Sequence, residues 1–205
     1  MATNEFAEIR AKAGDEERTD RWYQNAIRQM TRGIETPNEV FGTDLGSFET
    51  RIEPGNMYLY TYDAKHAETL PYYDRFPLTI CIEPLSNIAG FSGINLHYLP
   101  PMMRAQVLSA LRENVEEYTD DKTKIRSDWE VVKRFSLFPQ VQGAVKKYIF
   151  SQVTSRLYKI NPLNWRPAIF LPVQQFTGAS AQTVYRRTLM QEERKKKGSI
   201  GMGMI

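Results

Sequence analysis

The chain has 205 residues, 41% hydrophobic and 25% charged, which are the proportions of an ordinary folded domain able to bury a core. Eleven Tyr, ten Phe and three Trp exclude wholesale disorder, and no apolar run approaches the ~18–20 residues of a membrane span. The single cysteine, Cys81, excludes an internal disulfide framework, and with only two histidines beside it builds no zinc site. The N-terminal stretch MATNEFAEIRAK lacks the apolar centre of a signal peptide, so a reducing compartment is expected.

The formal net charge of +3 hides a division along the chain. Residues 1–121 carry 11 Lys and Arg against 20 Asp and Glu, whereas residues 122–205 carry 16 against 4. The basic part can meet phosphate or an acidic protein face. Folding of the two halves against each other is the plainer reading of the same asymmetry.

Taken in chain order, residues 1–33 read as helical. Phe6, Ile9, Ala13, Trp22, Ala26, Ile27 and Met30 recur at three- and four-residue spacing, and Gly33 is a stop signal. The first twenty residues are so polar that an arm, solvated or docked on a neighbour, is expected. Residues 34–50 hold Pro, Gly, Asn, Asp and Thr and read as loop.

The stretch after the turn Pro54-Gly55-Asn56 alternates Met57, Leu59 and Thr61 with Tyr58, Tyr60 and Tyr62, the period of a strand. Leu78 to Ile82 reads as a second strand. Gly90 and Gly93 are taken as a turn, and Ile94 to Leu99 as a third strand. Two adjacent tyrosines after Pro71 cannot both face inward in a regular strand, so Tyr72, Tyr73, Phe76, Tyr98 and Trp165 are expected to pack irregularly around the sheet.

Helical period returns after Pro100-Pro101, with Met103, Val107, Leu108, Leu111 and Val115 on one face. Ser127 to Glu130 resembles a cap leading a short helix through Phe135. Val141, Val145, Ile149 and Val153 recur at four-residue spacing and predict a helix over 139–159, ended by Asn161-Pro162. Trp165, Ile169, Phe170, Leu171 and Val173 read as a covering stretch.

The fold class expected is therefore α+β: a small antiparallel sheet of about three strands within residues 56–99, packed against helices. An N-terminal helical arm and loop (1–50), a single domain (51–187) and a flexible basic tail (188–205) complete the division.

The residue pattern gives weak signals for catalysis. His66 sits in a polar loop and His97 within the third strand, with no partnered nucleophile; Cys81 reads as a buried small hydrophobe. Asp63, Asp74 and Glu83 could cluster as hard-metal ligands, although local pairing of Asp74 with Arg75 is the simpler role. Gly90 and Gly93 lack the lysine and helix of a phosphate loop. The chain reads as non-enzymatic, with no cofactor.

The basic side chains carry a stronger signal. Lys146, Lys147, Arg156, Lys159, Arg186 and Arg187, with Arg194 to Lys197 beyond, are interleaved with Tyr148, Tyr158 and Tyr185, a mixture suited to phosphates and unstacked bases. On a 139–159 helix, 146 and 156 would stand about 80° apart and 156 and 159 about 60° apart. One continuous basic surface is expected from this. Phosphate binding, an acidic protein partner and a merely solvated face remain open for it.

PGNMYLYTYDAKHAETLPYYDRFPLTICIEP, GINLHYLPPMMRAQVL, KKYIFSQVTSRLYKINPLNW and AIFLPVQQF together resemble a family of small virion-associated proteins of T-even-like myoviruses, over roughly residues 52–187. The resemblance implies a structural component of a tailed-phage particle, at the head–tail junction, tail or baseplate. It would bind other virion proteins in multiple, symmetric copies. The alternative it implies is a protein that binds double-stranded DNA and protects or processes the packaged DNA end. Either version places the chain in the virion after synthesis in the host cytoplasm, away from membranes.

Overall fold

The computed structural model describes residues 5–13, 19–30, 34, 36–113, 133 and 139–200. The expected cap at Ser127 and most of the helix it was to lead, through Phe135, lie outside them, as do residues 201–205. Among the described residues no helix is long and apolar enough to cross a membrane.

The protein is α+β, as expected, but its main sheet has six strands in the order β1-β7-β2-β4-β5-β6, every neighbouring pair antiparallel. The strands are β1 (Gly46–Glu49), β2 (Met57–Leu59), β4 (Leu78–Pro84), β5 (Gly90–Asn95), β6 (Val145–Ile149) and β7 (Leu157–Ile160). A second, two-stranded sheet joins β3 (Tyr73–Asp74) to β8 (Phe176–Thr177). The expectation of about three strands fell short because β1, β6 and β7 come from outside the 56–99 block.

The largest correction concerns residues 139–159. Only α5 (Pro139–Gln142) is helical there, and the chain then forms β6, a single 3-10 turn (Phe150–Gln152) and β7. The β-branched and aromatic residues that gave a four-residue spacing fit a pleated surface equally well, and β5 offers an open edge to pair with. Gly90 and Gly93 are likewise inside β5 rather than in a turn. A Cβ at Gly93 would collide with Thr79 Cγ2 and come within 2.8 Å of Ile80 O, so β4 and β5 approach closely because this position has no side chain. Ile94 to Leu99 divides between the end of β5 and a 3-10 turn (Leu96–Tyr98).

Register sorts the sheet into two faces. Met57 is opposite Ile80 and Ile80 opposite Ile94, so one face is aliphatic. Buried with it in one apolar cluster are Phe76, Leu96, Leu99 and side chains from α4 (Pro101–Glu113) and α7 (Ala181–Ile200). Tyr58 is opposite Thr79, and Phe91 opposite Tyr148, so the other face carries a separate cluster of Tyr58, Tyr60, Tyr62, Cys81, Phe91, Tyr148 and Leu157. Burial there pushes the Cys81 thiol up to about 12, as suits an inert core thiol.

The N-terminal segment does not stand away from this body. Phe6 and Ile9 of α1 (Glu5–Ala13) and Ile27 of α2 (Asp20–Met30) are fully buried in the aliphatic cluster. The Asp44 carboxylate accepts from the free amides of Phe6 and Ala7 at 3.0 and 2.9 Å, which satisfies the start of α1 and complements its dipole. Arg166 joins α2 to α6 (Trp165–Ala168) through Asp20 at 3.1 Å and lies 5.0 Å from the Tyr23 ring centroid. The apolar stripe of the expected arm is thus seated on its own chain.

The 34–50 loop is also partly regular. It holds α3 (Pro37–Phe41), started by a capping box in which Thr36 and Glu39 satisfy each other's amides, and then β1. Downstream, the expected tail is helical: α7 continues through Ile200.

A tyrosine-walled cleft as the candidate nucleic-acid interface

A cleft of about 370 Å3 opens over the end of the aromatic face at β6. Its floor is Tyr98, Tyr148 and the stem of Lys146; its walls are Tyr62, His66, Tyr72 and Tyr73, with Lys65 and Lys147 also lining it. The wall segment is held by local turns, with the amides of Ala67 and Leu70 donating to Ala64 O and His66 O, each at 3.1 Å. The pairing of β3 with β8 fixes Tyr73 and Asp74 at its far end.

Behind the floor lies a buried polar network. The Asp74 carboxylate accepts from the amides of Phe76 and Gln175 through Oδ1, at 3.1 and 3.2 Å. Its Oδ2 meets Asn95 Nδ2 at 3.1 Å and His97 Nδ1 at 2.9 Å. Asn95 Nδ2 also donates to the Tyr148 hydroxyl at 2.9 Å, while Asn95 Oδ1 accepts from the His97 amide at 3.0 Å. Burial pushes the Asp74 carboxyl up, but the facing His97 and the donated hydrogen bonds outweigh it and hold it below the usual range. Burial holds the His97 imidazole down, against the pull of Asp74. A carboxylate and a neutral imidazole donating from Nδ1 satisfy this geometry. The local Asp74–Arg75 pairing expected from sequence is replaced by these four bonds, and His97, fully buried, is a fixture of the floor.

Lys146 is the unusual member. Its position on β6 is opposite Gly93, so no neighbouring side chain on β5 covers its stem. The ammonium lies 4.3 Å from the Tyr98 ring centroid, within cation–π range. It makes no ion pair with any described residue, and burial pushes its pKa down to about 8. Arg187, exposed on α7, brings its guanidinium carbon to 5.5 Å from the Tyr72 ring centroid and adds positive charge at the rim.

The six basic residues singled out in the sequence therefore separate. Lys146, Lys147 and Arg187 meet at the cleft, and Arg186 is exposed beside Arg187 on α7. Arg156 and Lys159 stand at the β1–β7 side, with three strands between β7 and β6. There the Arg156 guanidinium packs 4.6 Å from the Phe48 ring centroid, and Lys159 pairs with Glu53 at 3.2 Å. The single helical face that was to unite them is absent because residues 145–160 are mostly strand.

Among the described residues no three His, Cys, Asp or Glu side chains come together to hold a metal ion. Asp63 instead accepts from the Tyr73 hydroxyl at 3.1 Å, and Glu83 pairs with Lys133 at 2.9 Å.

Sequence reasoning missed Lys65, His66, Tyr62, Tyr72 and Tyr98 as cleft residues. The signal for part of it was present: at period two, Lys146 and Tyr148 share a face, as do Tyr58, Tyr60 and Tyr62. Read as a helix, 139–159 concealed that match.

Chemically, the cleft suits a ligand that combines negative charge with a flat ring, as nucleic acids do. The family described as Phage T4 terminal DNA protecting protein matches residues 5–191. The match takes in almost the whole chain, including α1 and α2, and the chain belongs to that family. No curated protein and no solved structure matches it.

Proposed function

We propose that this protein binds the ends of linear double-stranded DNA and shields them, using the tyrosine-walled cleft and its cationic rim. The observation that supports this most is the convergence on one cleft of Lys146, Lys147 and Arg187, from two elements distant in sequence, with the rings of Tyr62, Tyr72, Tyr98 and Tyr148. Cations neutralise backbone phosphates, and aromatic rings accept bases that have left the stack. The family to which the chain belongs is described by DNA-end protection, which favours this reading over a tail or baseplate subunit. Protection is by occupancy, without catalysis, and a place in the phage particle follows from holding the packaged DNA end.

The test compares a blunt linear duplex with a relaxed circle of the same sequence. The full chain should bind the linear form more tightly and slow its digestion by an exonuclease. Affinity should fall with salt by about 0.9 log units per log unit for each phosphate contact. Equal affinity for the two forms, with no delay in digestion, would overturn the reading.

A further inference from the structure

We infer that the cleft seats one unpaired terminal nucleotide, with the Lys146 ammonium on its terminal phosphomonoester and the base against the tyrosine walls. This deepens the end-binding reading and rests on it. Three observations carry it.

The first is size. At about 370 Å3 the cleft is near the lower bound of small-molecule pockets, which run from about 300 to 1,000 Å3. A single nucleotide fits such a space. A stacked duplex, whose major groove alone is about 12 Å wide, does not enter it.

The second is charge. A half-buried ammonium that lies over a ring, with no carboxylate paired to it among the described residues, is partly stripped of water without a counter-charge, and an incoming anion would relieve that cost. Asp74 also lines the cleft, but its two oxygens are turned to Phe76, Gln175, Asn95 and His97, and it makes no ion pair with Lys146. An internal DNA phosphate carries one negative charge, whereas a phosphomonoester carries about −1.5 to −2 at neutral pH. A monoester exists only at a strand end or a break, so a recessed lysine discriminates in favour of an end.

The third is rigidity. Asn95 fixes the Tyr148 hydroxyl at 2.9 Å and the 3-10 turn holds Tyr98 nearly fully buried, so the floor is formed before the ligand arrives.

The 5′- and 3′-phosphates share this chemistry, and the experiment distinguishes them. Binding of 5′-deoxyadenylate, 3′-deoxyadenylate, deoxyadenosine and inorganic phosphate to the full chain would be measured by calorimetry. Each would be measured on the wild type, Lys146→Met and Lys159→Gln. One of the two nucleotides should bind at least about tenfold more tightly than deoxyadenosine, and Lys146→Met should erase that margin while Lys159→Gln leaves it. Inorganic phosphate should bind weakly and through Lys146 alone. Equal binding of nucleotide and nucleoside, or an unchanged margin in Lys146→Met, overturns the inference. If Lys146→Met does not fold, Lys147→Met and Tyr72→Ala at the rim should each weaken nucleotide binding several-fold, and no effect from either overturns it as well. Linear duplexes with and without terminal phosphates separate the two levels. A linear preference that ignores terminal phosphate sinks the inference but keeps end binding, whereas loss of the linear preference sinks end binding itself.

Discussion

The two faces of the six-stranded sheet are built from the same strands and do opposite work. The aliphatic face is covered by α1, α2, α4, α6 and α7 and is closed mainly by aliphatic side chains such as Met57, Leu59, Ile80 and Ile94, with the Tyr158 hydroxyl tied to the backbone of Thr43 and Gly46 at its margin. The aromatic face keeps hydroxyls, an amide and a lysine within reach of its rings. At the β6 end its cover is the 62–73 segment, which leaves a cleft. Aliphatic burial is non-directional and contributes stability by area. Tyrosines need partners for their hydroxyls, so a tyrosine face brings a polar network with it and offers binding chemistry where it opens. One face makes the fold and the other makes the site.

The most direct way to break the aliphatic face is Phe76→Ala. Phe76 is fully buried and its ring centroid lies 5.5 Å from that of Phe41. Truncation should cost about 3–5 kcal/mol in denaturant unfolding. Phe6→Ala on α1 should cost a comparable amount, because Phe6 is buried in the same cluster. A loss below about 1 kcal/mol at Phe6 would mean that α1 is an accessory arm after all.

On the aromatic side the corresponding change is Asp74→Asn, which leaves His97 and two backbone amides with a poorer acceptor. A cost of about 2–4 kcal/mol is expected for weakening a buried charged hub. The wild type should also lose stability in acid in two stages. The folded His97 resists protonation while the unfolded chain takes up a proton near pH 6.5, so stability falls as pH drops below about 6.5. The folded Asp74 carboxyl lies below its ordinary value, so its contribution, present above about pH 4, is lost as pH falls through the lower folded value. Urea midpoints measured from pH 8 to pH 3 would show both stages. A flat profile between pH 7 and 5 would mean that the folded His97 titrates like the unfolded one, and a gain in stability on acidification would mean that it is protonated in the fold.

Much of the aliphatic face was legible in the sequence, and less of the site was. Met57 to Tyr62 and Leu78 to Ile82 showed strand chemistry, and Pro101 to Glu113 is a helix with its apolar stripe inward. The 145–160 stretch was not legible, because Val145, Ile149 and Val153 satisfy a helical spacing while Lys146 and Tyr148 satisfy a strand. Nothing local decides between them; the open edge of β5 does. The cleft was harder still. It joins Tyr62 and Tyr72 to Lys146 across more than seventy residues, a proximity that no periodicity encodes. Thr36 and Glu39, by contrast, carried a readable capping box inside a segment taken for loop.

Lys146 offers a way to sharpen the contrast between a face that stabilises and a face that binds. Its folded pKa of about 8 is below the ordinary lysine value of about 10.4. Between those values the unfolded chain binds more protons, so this residue's contribution to stability rises with pH there, and below pH 8 its half-buried charge is a standing cost. Lys146→Met should therefore gain on the order of 1–3 kcal/mol at pH 7 while weakening DNA-end binding. Wild-type affinity should fall as pH rises through about 8, where the ammonium is lost. Lys65, His66, Lys147, Asp74, Arg187 and the surrounding tyrosines face the same space, so the assignment requires that the alkaline limb vanish in Lys146→Met and persist in His66→Gln. An unaltered limb in Lys146→Met would assign it to another group.

The smallest effect is expected at the opposite end of the sheet. Lys159 shares the aromatic face, since its register partner on β2 is Tyr58, yet it lies beyond the cleft and already has an anion, Glu53, at 3.2 Å. Glu53 is held in turn, its amide donating to the Tyr58 hydroxyl at 2.9 Å. A pair this exposed, with 28% and 64% of the side chains accessible, contributes only about 0–1 kcal/mol. Lys159→Gln should therefore leave the unfolding midpoint nearly unchanged, along with the salt slope of DNA-end binding. Lys147→Gln, one residue from Lys146 at the cleft, should flatten that slope by about one unit. Salt titrations of the two variants side by side would measure this difference. If Lys159→Gln flattened the slope as much as Lys147→Gln, DNA would have to reach across three intervening strands, and the cleft would be one part of a longer groove.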